Sequence, residues 1–189
     1  MKKRILLLMV CIGSCLILSA CGAAQVENTP MLPPAAALPT ITPAWFDMEL
    51  TDVQTGDTFT MNDYAGKVVL LETMAMWCPN CLVQSNEVRK LHELLGNPDD
   101  LISVSLDVDV NEDSASLKEY ASKYGFDWHY AVAPLEVARA LGNLYTAQYL
   151  NPPLAPMLVI DRDGNVHHLE YGLKKAEALQ KFVQPFLEK

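Results

Sequence analysis

Two cysteines separated by two residues are the feature of this sequence with the clearest chemistry. Cys78 and Cys81 stand between an apolar run at residues 68–73 (VVLLET) and residues 80–95, whose apolar side chains recur at helical spacing. Unpaired N–H groups at a helix N-terminus favour a thiolate over a thiol. Pro79 suits the first helical position, where its missing N–H costs no hydrogen bond. We predict that Cys78 attacks a disulfide and that Cys81, one turn later and less exposed, resolves the mixed disulfide.

Other uses of this cysteine pair fit the sequence less well. Structural zinc needs four ligands, but there is no second CxxC or paired-histidine motif. Covalent haem attachment needs histidine at position 82, which is Leu. A structural disulfide closing so short a loop stabilises little. Metal handling stays open, because Met76 and the two thiols form a soft-ligand set that could hold Cu(I). A Cu(I) metallochaperone is therefore the alternative function, and otherwise we predict no resident metal and no cofactor.

The first twenty residues have the pattern of an export signal. Three basic residues, Lys2 to Arg4, precede a mostly apolar stretch at residues 5–18, which is shorter than the roughly 20 residues that span a bilayer. Residues 18–21 (LSAC) resemble the bacterial lipobox. That resemblance implies that residues 1–20 are a lipoprotein signal peptide and that Cys21 carries the lipid. We expect the protein on the extracytoplasmic face of the cell membrane or outer membrane, periplasmic or at the cell surface.

The charge and cysteine counts change if residues 1–20 are removed. Three basic and no acidic residues leave, so the formal charge of -9 becomes -12. Cys11 and Cys15 leave too, and with Cys21 acylated, Cys78 and Cys81 are the thiols that remain of five cysteines. A pI near 4.8 argues against nucleic acid as a partner, because phosphate binding needs clustered basic residues. So acidic a chain is held at a membrane by lipid, not by attraction to anionic headgroups.

The rest of the chain divides into a tether and one domain. Residues 21–44 comprise the lipidated cysteine and a Pro-rich tether, which carries five of the twelve prolines and one charge. Residues 45–189 alternate strand and helix patterns, which predicts an α/β domain with a mixed sheet between helices. The predicted strands cover residues 46–51 and 58–61 (a hairpin), 68–73, 101–108, 128–132, 157–160 and 165–171, and the predicted helices cover 80–95, 114–124, 135–141 (closed by Gly142) and 174–187.

These motifs together resemble the thioredoxin fold. The resemblance rests on a buried strand followed by Trp77 and the CxxC helix, on Pro156 before a late apolar strand, and on Asp161-Arg162-Asp163-Gly164 after it. Residues 65–71 (AGKVVLL) and the export signal resemble the membrane-tethered TlpA/ResA-type branch. The resemblance spans residues 45–189 and implies a central mixed β-sheet flanked by helices, with an N-terminal β-hairpin extension.

The resemblance also implies roles for individual residues. Glu72, six residues before Cys78, matches a buried acid that takes the proton of the resolving cysteine. Pro156 matches the family's cis-proline, where the backbone of Ala155 would meet an extended substrate peptide; two earlier prolines are rivals, but neither abuts the strand. Trp77 and Pro79 complete the implied docking surface.

The function implied by the resemblance is that of a lipid-anchored thiol–disulfide oxidoreductase. Its substrates would be protein disulfides or dithiols, and the TlpA/ResA-type likeness favours reduction, as in cytochrome c maturation, fed by a membrane thiol donor. We expect a monomer. A peroxide-reducing enzyme of the same fold ranks low, because the pattern PxxxTxxC is absent.

Overall fold

A computed structural model describes residues 42–188. The predicted signal peptide, Cys21 and most of the predicted tether lie outside the described residues and stay predictions. Within the described part, no helix is both long enough and apolar enough to cross a membrane.

A five-stranded mixed sheet positions the cysteine pair. Its strand order is β5-β4-β3-β6-β7, with β3, β4 and β5 parallel and with β6 and β7 each antiparallel to its inner neighbour. A separate antiparallel pair, β1 with β2, precedes it and confirms the predicted hairpin. The strands are β1 (Leu50–Thr51), β2 (Thr58–Phe59), β3 (Val68–Met74), β4 (Leu101–Asp107), β5 (His129–Val132), β6 (Met157–Ile160) and β7 (Val166–His168).

Helices cover both faces of this sheet. One core cluster joins side chains of α1, α2 and α4 to one face, and a second joins α3 and the N-terminal segment to the other. Because helices cover both faces of the sheet, a central strand needs apolar side chains on both faces. This is why the sequence of β3 is an almost continuous apolar run. The helices are α1 (Pro79–Leu95), α2 (Ser114–Tyr124), α3 (Leu135–Leu144) and α4 (Ala176–Leu187).

The side-chain alternation of β3 decides where Glu72 points. Val68, Leu70 and Met74 belong to the cluster beneath α1, whereas Val69 and Leu71 belong to the opposite cluster. Successive strand residues face opposite sides, so Glu72 shares the α1 side with the even-numbered residues. The central acid and the cysteine-bearing helix are therefore on the same face of the sheet.

Two predicted boundaries are wrong for identifiable packing reasons. Residues 46–51 are not one strand: Ala44–Asp47 form a 3-10 helix that buries Trp45 and Phe46, and only β1 pairs. Helix α3 does not close at Gly142 but continues to Leu144. Gly142 lies against Leu150: a Cβ at this position would be 3.0 Å from Cδ1 of Leu150, so that side chain would have to shift.

Trp45 provides a test of whether the N-terminal segment belongs to the cooperative core. It is 1% exposed, and its indole N–H donates to the hydroxyl of Tyr145 at 3.0 Å. We expect Trp45→Ala to lower the free energy of unfolding by about 3–5 kcal/mol, as for other fully buried aromatic residues. The matched control is Trp77→Ala, since Trp77 is 57% exposed and its loss should cost less than about 1 kcal/mol. Urea unfolding measures the free energy of unfolding of both variants. A loss in Trp45→Ala as small as that in Trp77→Ala would show that the N-terminal segment does not belong to the core.

Candidate active site

The two cysteines stand at the first turn of α1 as free thiols. Cys78 is the N-cap residue with extended backbone angles, and its Sγ accepts a hydrogen bond from the N–H of Cys81 at 3.2 Å. Pro79 occupies the first turn of α1, as predicted. The same N–H also donates to the backbone carbonyl of Cys78 at 3.1 Å, so the sulfur and the carbonyl share this first-turn donor.

The predicted difference in exposure between the cysteines is wrong. Cys78 is 1% exposed and Cys81 is 2% exposed, because both pack into the core cluster beneath α1. Pro152 closes over this region, and the Sγ–H of Cys81 donates to its carbonyl at 3.5 Å. Burial, and then the neighbouring Cys78, raise the pKa of the Cys81 thiol. Exposure therefore does not distinguish the two thiols, and the Cys81 thiol holds its proton firmly.

Glu72 lies beneath this turn as a buried acid. The residue is 3% exposed, and its Oε1 accepts hydrogen bonds from Ser85 at 2.9 Å and from Ser105 at 2.5 Å. Burial raises the pKa of Glu72 to about 7, although both serines and the charge of Lys174 oppose the rise. A carboxyl group with such a pKa can take or give a proton near neutral pH.

An outer pair of donors holds the two serines in place. The indole N–H of Trp128 donates to Ser105 Oγ at 2.8 Å, and the hydroxyl of Tyr130 donates to Ser85 Oγ at 3.1 Å. Each serine hydroxyl has one hydrogen, so accepting these bonds directs that hydrogen to Glu72. The acid is therefore held by groups from α1, β4 and β5.

Sequence reasoning missed this network, although two signals for it exist. Ser103, Ser105 and Asp107 alternate within an otherwise apolar strand, which places polar side chains on one buried face. In the sheet, Ser105 is the direct neighbour of Glu72 across β3 and β4. Ser85 lies four residues after Cys81 and so shares its helix face.

The loop after β4 holds the residues in front of Cys78. The indole N–H of Trp77 donates to Asp109 at 2.6 Å, and the backbone N–H of Met76 donates to Glu112 at 2.7 Å. Trp77 nevertheless stays exposed, as a docking residue must be. These two hydrogen bonds hold the residues that directly precede Cys78 against the loop that follows β4.

A second acidic side chain is buried near the start of α1. Asp107 is fully buried at the end of β4, opposite Met74. Burial, and then nearby Glu112, raise the pKa of Asp107 to about 8. The predicted strand at residues 101–108 includes this position, and the side chain continues the inward alternation of Ser103 and Ser105.

The segment before β6 is tied to α1 on its other side. The side-chain amide of Asn80 donates to the carbonyl of Pro153 at 2.9 Å. Pro156 is buried directly before β6, and its carbonyl accepts from the N–H of Thr73 at 3.1 Å. Pro156 thus extends the sheet next to Glu72, while the cis state of its peptide bond stays a prediction.

The backbone of Ala155 is not free to meet a substrate, contrary to the expectation. Its N–H donates to the carbonyl of Pro152 at 2.7 Å, and its carbonyl accepts from Nζ of Lys174 at 2.5 Å. Ala155 is buried in a left-handed conformation with φ 44° that directs these groups inward. Lys174 has no signal in the sequence, because nothing there separates it from its neighbour Lys175.

The dithiol does not line the cavity that the described residues form beside β5. A cavity of about 350 Å³ is lined by residues that include His92, Trp128 and His129, but by neither cysteine. Within residues 42–188, no group of three or more His, Cys, Asp and Glu side chains is arranged to hold a metal ion. Met76 packs partly buried against the cluster that contains both thiols.

Comparison with known proteins agrees with this architecture. Residues 33–182 match the model of the Redoxin family. A thiol:disulfide interchange protein of the thioredoxin family from Chlorobium tepidum TLS superposes with a TM-score of 0.62 and 21% identity, covering 81% of this chain and 99% of that one. A DsbF homologue from Corynebacterium diphtheriae gives a TM-score of 0.59 and 20% identity, covering 73% and 83%.

A third solved structure shows the same fold at lower identity. A secreted Mycobacterium tuberculosis disulfide oxidoreductase homologous to E. coli DsbE has a TM-score of 0.56 and 17% identity, covering 74% of this chain and 96% of that one. No curated protein matches the chain. The predicted thioredoxin-like fold, with its central mixed sheet and N-terminal hairpin, is confirmed.

The raised pKa of Glu72 predicts a loss of stability as the pH rises. The carboxyl holds its proton up to about pH 7 in the folded protein, against an ordinary value of 4.5. The folded state therefore binds more protons between these values, and folding weakens as they leave. From pH 5 to pH 8, we expect wild type to lose about 2–3 kcal/mol of unfolding free energy relative to Glu72→Gln. Urea unfolding at both pH values measures this, and parallel curves for the two proteins would contradict it.

Proposed function

The chain belongs to the redoxin family, and from that premise we propose that it reduces protein disulfides with the Cys78–Cys81 dithiol on the outer side of a bacterial membrane. It is a thiol–disulfide oxidoreductase. The observation that carries the proposal is the position of the dithiol, which lies at the N-terminus of α1 on the same face of the sheet as a buried acid with a pKa near neutrality.

The proposed reaction begins with attack by the Cys78 thiolate on one sulfur of a partner disulfide. A Cys78–partner disulfide forms, and the partner's other sulfur leaves as a thiolate. Cys81 then loses its proton to the Glu72 carboxylate and attacks Sγ of Cys78. The Cys78–Cys81 disulfide forms, and the second partner sulfur leaves as a thiolate. The partner gains two electrons and, with two protons, becomes a dithiol, while the enzyme is oxidised by two electrons.

Glu72 is needed because Cys81 does not ionise readily. Burial raises the pKa of the Cys81 thiol, so little thiolate is present at neutral pH. A carboxylate whose own pKa is raised accepts that proton more readily than an ordinary surface acid would. Reduction as the direction of electron flow is supported by the TlpA/ResA-type sequence features at residues 65–71.

Proteins are the proposed substrates because exposed residues precede and surround the turn that carries the cysteines. The cysteines do not line the cavity of about 350 Å³, and Trp77, which directly precedes Cys78, is exposed. Val110, 82% exposed on the neighbouring loop, adds apolar area. An extended partner segment can contact such residues, and the attack requires the buried Cys78 sulfur to become accessible as that segment docks.

The anchor and the electron donor complete the proposal. The lipobox-like residues 18–21 and the Pro-rich residues 22–44 support a lipidated Cys21 that holds the domain near a membrane. A structural neighbour is described as secreted, which supports an extracytoplasmic site. A membrane thiol donor would return the disulfide to the dithiol. The TlpA/ResA-type sequence features support cytochrome c maturation as the setting.

Mixed-disulfide trapping tests the assigned roles. We expect Cys81→Ser to accumulate covalent complexes with partner proteins, because Cys78 can attack but nothing resolves the product. Cys78→Ser is the matched control and should accumulate none. Non-reducing gel electrophoresis after acid quenching measures the complexes. Equal trapping by both variants, or by neither, contradicts the assignment.

A further inference from the structure

Residues 151–155 form a segment, which we call the cover segment, that lies against the first turn of α1. The side-chain amide of Asn80 donates to the carbonyl of Pro153 at 2.9 Å, and the Sγ–H of Cys81 donates to the carbonyl of Pro152 at 3.5 Å. Asn80 and Cys81 are the second and third residues of α1. Two consecutive residues of the helix therefore hold two consecutive carbonyls of the cover segment.

The two cysteines are held by different parts of the chain. The sulfur of Cys81 bonds the cover segment, whereas among residues 42–188 no hydrogen bond joins the sulfur of Cys78 to that segment. The residues directly before Cys78 are bonded instead by the loop that follows β4. Both cysteines are almost fully buried, so exposure does not decide which sulfur an incoming disulfide meets. The cover segment does distinguish them, because it bonds the sulfur of Cys81 alone.

The C-terminal end of the cover segment is firmly attached. The N–H of Ala155 donates to the carbonyl of Pro152 at 2.7 Å, and the carbonyl of Ala155 accepts from Nζ of Lys174 at 2.5 Å. The backbone of Lys174 is itself bonded twice to the side chain of Gln84 on α1, at 2.8 Å and 3.1 Å. Gln84 is buried, whereas Asn80 is exposed, so the bond of Asn80 is open to water and to a docking partner. The cover segment can therefore move near Asn80 while its C-terminal end stays in place.

We propose that Asn80 is a positioning residue that determines which sulfur reacts: it holds the cover segment over Cys81 and so leaves Cys78 as the sulfur that attacks. The proposal rests on the proposed function, in which Cys78 attacks and Cys81 resolves, and it gives a physical reason for that order. Buried groups react with external reagents through local opening of the structure. Without the Asn80 amide, one of the two hydrogen bonds from α1 is lost, and the cover segment should leave Cys81 more often.

The test compares alkylation of each cysteine, in the reduced full chain, with and without the Asn80 amide. Cys78→Ser leaves Cys81 to react, Cys81→Ser leaves Cys78, and each is combined with Asn80→Ala. Peptide mass spectrometry follows the reaction with iodoacetamide and separates these sites from the cysteines at positions 11, 15 and 21. We expect Asn80→Ala to speed alkylation of Cys81 by about two- to tenfold, the range that loss of one hydrogen bond gives. The rate at Cys78 should change less than about twofold, below the range for one hydrogen bond.

Two further variants separate the hydrogen bond from other effects of the substitution. Asn80→Leu keeps a side chain of similar size without a donor, so it should act as Asn80→Ala does. Asn86→Ala is the matched control. Asn86 is also on α1 and its amide also donates to a backbone carbonyl, that of Leu82 at 2.7 Å, but this carbonyl belongs to its own helix. The control should change neither alkylation rate.

A bulky reagent separates opening of the cover segment from a change in the acidity of the Cys81 thiol. A change in acidity would alter the rates of iodoacetamide and of its fluorescein derivative by the same factor. Movement of the cover segment should accelerate the bulky reagent more. Equal factors for both reagents, equal acceleration of the two cysteines, no effect of Asn80→Leu, or acceleration by Asn86→Ala each overturns the proposal.

Insulin reduction by the wild-type chain separates this inference from the proposed function, because alkylation requires no partner disulfide. If Asn80→Ala selectively accelerates alkylation of Cys81 but wild type reduces no disulfide, the proposed function fails and the role of the cover segment stands. If wild type is active and the alkylation rate of Cys81 does not change, the role of Asn80 is wrong.

Discussion

Burial of ionisable groups beneath the N-terminus of α1 is the constraint on which the rest of the site depends. Cys78, Cys81 and Glu72 are all nearly inaccessible to water. A charge in such a place is unfavourable unless hydrogen bonds or an opposite charge compensate for it. The surrounding groups supply that compensation: the Cys81 N–H bonds the Cys78 sulfur, two serines bond Glu72, and the charge of Lys174 acts on it. The site can therefore hold these ionisable groups away from water.

The sheet supplies this arrangement through register and alternation. Glu72 and Ser105 are direct neighbours on β3 and β4, and Tyr130 is opposite Ser105 on β5. All three face the helix that carries the cysteines, because alternate residues of each strand share a face. Loops then approach α1 from two sides. Asp109 and Glu112 hold Trp77 and Met76, and the segment ending at Pro156 bonds Asn80 and Cys81. The strand register that places Ser105 beside Glu72 therefore shapes the site as much as the CxxC motif does.

Local patterns predict much of this fold, and long-range contacts explain what they miss. The apolar run around Glu72 predicts a central strand and a buried acid, and both are found. Helix α1 begins with Pro79 and ends before Gly96, whose φ of 71° suits glycine. Gly142 shows the limit of such reasoning. A glycine that lies inside a helix, against the side chain of Leu150, looks in sequence like a glycine that ends a helix.

The candidate site is likewise only partly predictable from the sequence. The cysteines and Glu72 have sequence signals, but the surroundings of Cys81 include the carbonyl of Pro152, which is distant in sequence. The inward position of Lys174 depends on its pairing with Gln84, ninety residues away. A single sequence contains no trace of that pairing.

The reduction potential of the Cys78–Cys81 couple tests the central claim most directly. The claim is that the dithiol acts as a reductant and gives its electrons to partner disulfides. Equilibration of the full chain in thiol–disulfide buffers, with quantification of reduced and oxidised protein, gives the potential. The account predicts a single two-electron couple near the value of about -270 mV that is typical of thioredoxin. A value near about -120 mV, that of a strong oxidant with a stabilised reduced form, would contradict it.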